Sequence, residues 1–281
     1  MATSPALKIG RDILVLDPDF PRGEVRFALF DFDGTISLLR EGWQRIMEPM
    51  MIEMICGDRP PSPEIRTRVR EYIEQSTGLQ TILQMQKLVE FVREFGLVPE
   101  DRILDAWEYK RIYNERLLEP VNARLAMIHR GEKRPSDFLL RGSVELLRAL
   151  RSRGITLYAA SGTDLPDVLR EAQELGVAEF FDGGIYGALR TYEECNKEKV
   201  LRQILEEHNL SGAELVVFGD GPVEIRLARQ FGAIGVGVAS NEVRGYGWNR
   251  KKVRRLRLAG AHVLVPDFGE YETLLSYLLS R

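Results

Sequence analysis

Val25-Arg26-Phe27-Ala28-Leu29-Phe30-Asp31-Phe32-Asp33-Gly34-Thr35 is the stretch whose reading decides the fold. Its first half is short, apolar and rich in Val, Leu and Phe, and a polar cluster with glycine ends it. That combination predicts a buried strand of a parallel sheet. Asp31 and Asp33 stand at its end with one residue between them. In a parallel sheet covered by helices, ligands bind outside the carboxyl ends of the strands, so both carboxylates belong at that rim. Two carboxylates so close repel each other unless a cation or a shared proton intervenes. Mg²⁺, a hard ion that takes oxygen ligands and usually accompanies phosphate, answers that need. A plain strand end with a turn would use the same residue types, Asp, Gly and Thr.

Downstream the texture changes. From about Gly42 to Asp137 strand signals vanish and helical periodicity takes over, with helices expected near 43–56, 63–76, 79–95 and 101–130. Pro49 and Pro120 should bend or break the first and last of these. Pro60-Pro61-Ser62-Pro63 separates the first two. A compact domain rarely tolerates so long a detour as a loop. Residues 42–137 therefore read as an inserted all-α domain over the sheet end that carries Asp31 and Asp33. Met47, Met50, Met51 and Met54 cluster on its first helix and read as core packing.

From about residue 139 strands and helices alternate. Strands are expected at 155–160, 184–186, 214–218, 233–238 and 262–265. Helices are expected at 142–152, 165–175 and 196–208, from Asp220 on to about Phe231, and at 270–279. Residues 1–24 read as a lead-in with a short strand at Ile13–Leu16. The fold class is thus α/β: a Rossmann-like, doubly wound parallel sheet built from 1–41 and 138–281, with 42–137 inserted.

Three strands end in polar clusters: Asp31/Asp33, Ser161/Thr163 and Asp220/Glu224. In one parallel sheet these ends share an edge and can converge. A lysine in the first turn of helix 196–208, Lys197 or Lys199, lies between the last two in sequence. Each part suits phosphoryl transfer. One Asp attacks phosphorus, and the other serves as general acid and base. Ser161 and nearby N–H groups hold phosphoryl oxygens, and a lysine neutralises their charge. Asp220 completes a metal site, and Glu224 reinforces it directly or through water. Structural duties compete at each position. Ser161 suits a turn, Asp220 an N-cap, and Glu224 a helix first turn favoured by the dipole. Asp164 reads as the cap of helix 165–175. His129, His208 and His262 show no metal-ligand spacing and read as surface or core residues.

In order and spacing these motifs resemble the haloacid dehalogenase-like phosphohydrolases, over about Phe27 to Asp267. The resemblance makes Asp31 the nucleophile and a metal ligand. It makes Asp33 the acid/base, with its backbone carbonyl on the metal. Ser161 matches the phosphate-binding motif, and Thr163 beside it has no assigned role. Lys197 matches the third motif, because Val200-Leu201 follow it as an apolar pair follows the family lysine. Gly219-Asp220-Gly221-Pro222-Val223-Glu224 resembles the fourth, with Glu224 where the family often has Asp. The insertion 42–137 falls where members carry a helical cap of the first type.

The totals bound the rest. The chain has 281 residues, 44% hydrophobic and 29% charged, enough for a real core. A net charge of -3 exerts no global pull toward nucleic acid or membrane. No apolar run suits a membrane span, and the N-terminus lacks a signal core. Two cysteines, Cys56 and Cys195, form no framework and suggest a reducing cytoplasm. Arg250-Lys251-Lys252-Val253-Arg254-Arg255-Leu256-Arg257 reads as a solvated helix face with Val253, Leu256 and Leu258 turned inward. A local anion or nucleic-acid patch is the sharper reading, and the lack of interleaved aromatics argues against it.

The expectation is a cytoplasmic, Mg²⁺-dependent phosphatase for a small phosphorylated metabolite. A sugar phosphomutase using the same aspartyl-phosphate, and a non-catalytic binding module on this scaffold, are the alternatives. Asp33 argues against a dehalogenase, which has no leaving oxygen to protonate. Arg40, Trp43 and Tyr109 stay unranked as substrate contacts.

Overall fold

Short Val-, Ile- and Leu-rich segments become strands because helices cover both faces of the sheet they build. A computed structural model of the chain describes residues 6–189 and 197–280. The strands are β1 (Leu7–Ile9), β2 (Ile13–Val15), β3 (Phe27–Phe30), β4 (Thr156–Asp164), β5 (Gly184–Ala188), β6 (Leu215–Gly219), β7 (Ile234–Val238) and β8 (Val263–Val265). Among the described residues they form one sheet in the order β1-β2-β8-β7-β6-β3-β4-β5. β8 through β5 run parallel, and β1 and β2 pair antiparallel at one edge. The supposed lead-in is thus partly sheet. Its first three-residue strand, β1, has no periodicity of its own and is held by β2.

The first four helices are α1 (Gln44–Cys56), α2 (Pro63–Gln75), α3 (Thr81–Phe95) and α4 (Ala106–His129). They pack on one another, and Met47, Met50 and Met51 are fully buried among them. Pro49 and Pro120 do not break their helices: α1 and α4 each run through their proline. Buried contacts on both sides compensate for the lost backbone bond: Tyr113 and Leu117 before Pro120, Val121 and Leu125 after it. Ser62 caps α2 through its hydroxyl, and Asp105 caps α4. The Asp105 cap starts α4 at Ala106 rather than at 101.

The remaining helices are α5 (Ser143–Arg151), α6 (Leu165–Glu174), α7 (Lys197–Glu207), α8 (Pro222–Gln230), α9 (Arg250–Ala259) and α10 (Tyr271–Leu279). On one face of the sheet, Val200, Leu201 and Ile204 of α7 pack against Phe27, Leu29, Tyr158 and Val217. On the other, α5, α6 and α10 join a core that continues into α1–α4. Beneath the rim, Phe30 of β3 and Phe218 of β6 stack at 4.5 Å. Cys56 is a buried free thiol, and Cys195 lies outside the described residues. No described helix is long and apolar enough to cross a membrane.

His262 has a core duty. The Gly235 N–H donates to its Nδ1 at 2.9 Å, which requires that nitrogen to be unprotonated. Burial, helped by the charge of Arg229 and opposed by Asp17, pushes the imidazole down to about 4. Its folded-state value lies below the unfolded one, so protonation favours the unfolded chain. Stability is whole above about pH 6.5 and is lost as pH falls toward 4. The expected loss between about pH 7.5 and about pH 5 is on the order of 1 kcal/mol, after allowance for partial solvent contact. Urea unfolding of the parent should show this component. His262→Gln, which keeps an acceptor for Gly235, should lack it.

Candidate active site

Strand register builds the site. β3 lies between β6 and β4, with Phe30 opposite Phe218 on one side and Ala159 on the other. Asp31 is one residue past that level, Asp220 and Ser161 two. The Asp31 N–H donates to the Phe218 carbonyl at 2.8 Å, which carries the pairing to the rim itself. Gly34 has φ +78°, and a Cβ there would lie 2.8 Å from an Asp220 carboxylate oxygen. The β3 loop can therefore fold over Asp220 only because residue 34 has no side chain.

Asp31 is 5% exposed, and Lys197 Nζ donates to its Oδ1 at 2.7 Å. The same ammonium donates to Glu224 Oε1. Lys197 is the first residue of α7, and the apolar anchors Val200 and Leu201 point it into the site. Lys199, two residues on, lies on the exposed side of the helix. Burial pushes the Asp31 carboxyl well above the ordinary carboxylate range. Lys197 opposes that, and Glu224 and Asp220 reinforce it. Burial works against the Lys197 charge too, but Asp31 and Glu224 outweigh it and hold the amine protonated.

Asp33 is held on its other side. Ser161 Oγ and Thr163 Oγ1 each donate to its Oδ2 at 2.9 Å, and the Thr163 N–H donates to Ser161 Oγ at 3.0 Å. Thr163 thus shares the duty of Ser161. Both sit within β4, which was expected to end at residue 160 and instead runs on to Asp164 through an irregularity in its pairing with β5. Among the described residues Asp33 Oδ1 accepts no hydrogen bond, and Arg40 Nε lies 3.7 Å away. Arg40 is itself buried and forked onto Glu171, with contacts of 2.6 to 3.2 Å. Asp164 heads α6 but makes no side-chain cap. Its carboxylate instead takes bonds from Lys110 and Asn114 of α4, tying that helix to the sheet.

Asp220 shows what the basic stretch does. Lys252 Nζ donates to Asp220 Oδ2 at 2.7 Å and contacts Glu242 at 2.7 Å and Ser240 Oγ at 3.0 Å. Arg255 reaches the Asp220 carbonyl at 2.8 Å and its carboxylate at 3.2 Å. Burial would raise the Asp220 carboxyl, but Lys252 and Arg255 outweigh it and hold it below its ordinary value. Lys252, Leu256 and Ala259 form the inner face of α9, as helical spacing requires. Leu258 is two residues from Leu256, faces the opposite way and is 79% exposed, contrary to expectation.

These groups line a cleft of about 80 Å³ between the sheet rim and α1–α4. Asp31, Asp33, Lys197 and Asp220 form its floor. Arg40, Trp43, Gln84 and Tyr113 are among its walls. Tyr109 is buried and accepts from the Leu104 N–H, so it is not a wall. The turn between α2 and α3 descends to the rim: a Cβ on Gly162 or Gly221 would lie 2.8 Å from the Leu79 or Thr77 carbonyl.

A family model of haloacid dehalogenase-like hydrolases matches residues 25–232, from the start of β3 to the end of α8. The chain belongs to this family. The hydrolase is 29% identical over 223 residues to a 5'-nucleotidase of Pseudomonas aeruginosa, covering 78% of this chain and 82% of that protein. Its fold is similar to that of a β-phosphoglucomutase from Clostridium difficile, with a TM-score of 0.58 and 16% identity over 90% of this chain and 97% of that one. It is also similar to a predicted phosphoglycolate phosphatase from Haemophilus somnus, with a TM-score of 0.59 and 15% identity over 89% and 98%. Both structural likenesses speak for the fold alone.

Of the expected site residues of the hydrolase, Asp31, Asp33, Ser161, Lys197, Asp220 and Glu224 all meet at one rim. Their mutual contacts are mostly ion pairs between acids and lysines. Among the described residues no three His, Cys, Asp or Glu side chains are set to hold a metal together. Lys197 stands between Asp31 and Glu224, and Lys252 stands on Asp220. The spacing of Lys252 and Arg255 within a basic run did not mark them as site residues. The sign that could have done so is their shared helix face with Leu256.

Proposed function

We propose that this hydrolase is a phosphatase that cleaves phosphate monoesters of small metabolites through an aspartyl-phosphate on Asp31. The observation that carries the reading is the pairing of Asp31 with Lys197 on one side and the hydroxyl-held Asp33 on the other, at the floor of one cleft. Asp31 Oδ attacks phosphorus, and Lys197 offsets charge on the phosphoryl oxygens. Asp33, fixed by Ser161 and Thr163, gives a proton to the leaving oxygen and later takes one from the attacking water. Its Oδ1, which accepts no hydrogen bond among the described residues, is the atom for that exchange.

Mg²⁺ fits the all-oxygen donor set of Asp31, Asp220 and the Asp33 backbone carbonyl. When bound it neutralises charge on the transferring phosphoryl group. Two side-chain carboxylates and a carbonyl agree with the absence of a three-side-chain cluster. Glu224 then holds Lys197 rather than the ion. Residues 42–137 form a cap over a core of 1–41 and 138–281, with Lys110, Asn114 and Arg255 along the seam. The test is phosphate release from a panel of phosphate monoesters with and without Mg²⁺. Inorganic phosphate, rather than a phosphate returned to the sugar, separates hydrolysis from mutase action.

Lys252 places a positive charge on a ligand of the proposed ion. Lys252→Met is expected to tighten Mg²⁺ binding about tenfold, because one repelling charge is removed from the site. Isothermal titration of the phosphate-free protein would measure it.

A further inference from the structure

Among the described residues two cations line the cleft, Arg40 and Lys197. Arg40 is forked onto Glu171 and lies 3.7 Å from both Asp167 and Asp33. Lys197 is taken by Asp31 and Glu224. The wall from the helical block presents Trp43, Thr77, Leu79, Thr81, Gln84 and Tyr113, and none of these carries charge. Among the described lining residues, no cation is therefore left to meet a second anionic group on the substrate.

The same wall is not merely apolar. Tyr113 lines the cleft, and its hydroxyl makes no hydrogen bond among the described residues. A phenol hydroxyl placed there can donate to or accept from a ligand hydroxyl. Gln84 donates its amide to Ser76 and adds a polar, uncharged group to the wall. Trp43 adds a broad apolar face. Taking a carboxylate or second phosphate out of water against such a wall is costly, whereas hydroxyls find donors and acceptors there.

We infer that the hydrolase selects phosphate monoesters whose alcohol part bears hydroxyls and no charge, and rejects those with a carboxylate or a second phosphate. This rests on the phosphatase reading above. It also separates the protein from a mutase, which must hold a bisphosphate in the same cleft.

The test compares matched pairs with Mg²⁺: glycerol 3-phosphate against 3-phosphoglycerate, and glucose 6-phosphate against glucose 1,6-bisphosphate. The uncharged-alcohol member of each pair should have a kcat/KM at least about tenfold higher. Thr81→Lys, which adds a cation to the wall at a half-buried position, should narrow the first gap at least about tenfold. p-Nitrophenyl phosphate, an artificial monoester, reports the phosphatase reading by itself. If it is cleaved and the anionic members do as well as their partners, the inference is overturned and the phosphatase reading stands. If no ester releases phosphate, both fall.

Discussion

Asp31→Asn is expected to lower kcat for phosphate release by at least about a thousandfold while leaving the fold no less stable than the parent. The first half follows from chemistry, since an amide nitrogen and its carbonyl do not form the acyl phosphate. The second follows from the surroundings. The Asp31 carboxylate is buried, Glu224 and Asp220 both repel it, and burial opposes its charge. Lys197 keeps Glu224 as a partner when Asp31 becomes neutral. Removing a buried charge that is crowded by two others relieves about as much as the lost Lys197 bond supplied. Phosphate release and urea unfolding on the same preparation measure both halves. A variant that retained a tenth of the parent's activity would remove Asp31 from the nucleophile's place.

Lys197→Met is expected to do the opposite to stability. The ammonium joins two buried carboxylates, and its loss leaves both without their main counter-charge. Breaking a buried pair in this way costs about 3–5 kcal/mol. Activity should fall as well, because the charge that meets the phosphoryl oxygens is gone. A divalent cation beside Asp31 offsets part of the same repulsion, so added Mg²⁺ should raise the urea midpoint more in Lys197→Met than in the parent. Equal shifts in the two proteins would show that the lysine and the ion do not share the Asp31 charge.

The contrast between these variants bears on how much of the site was legible beforehand. Asp31, Asp33, Ser161 and Asp220 each close an apolar segment, and a parallel sheet brings such ends to one edge. From the residues alone Lys197 and Lys199 stayed open, and the family resemblance pointed to Lys197. Thr163 had no assigned role, because the strand expected to end at residue 160 continues irregularly to Asp164, with both hydroxyls on Asp33. Asp164 was misread for the same reason that caps are usually read well. The residue type suits a cap, but a better partner arrived from α4, far along the chain.

Local pattern determined the α/β class, the helical block, the order of the strands along the chain and the identity of the acids at their ends. Those features depend on period, breakers and residue type within a dozen residues, and the amino-acid sequence carries them directly. Tertiary structure decided which counter-charge stands beside each acid. Lys252 and Arg255 meet Asp220 across a separation of more than thirty residues, Arg40 meets Glu171 across 131, and Lys197 meets Asp31 across 166. Charge acts through space, and the distances in space are set by strand register and helix packing.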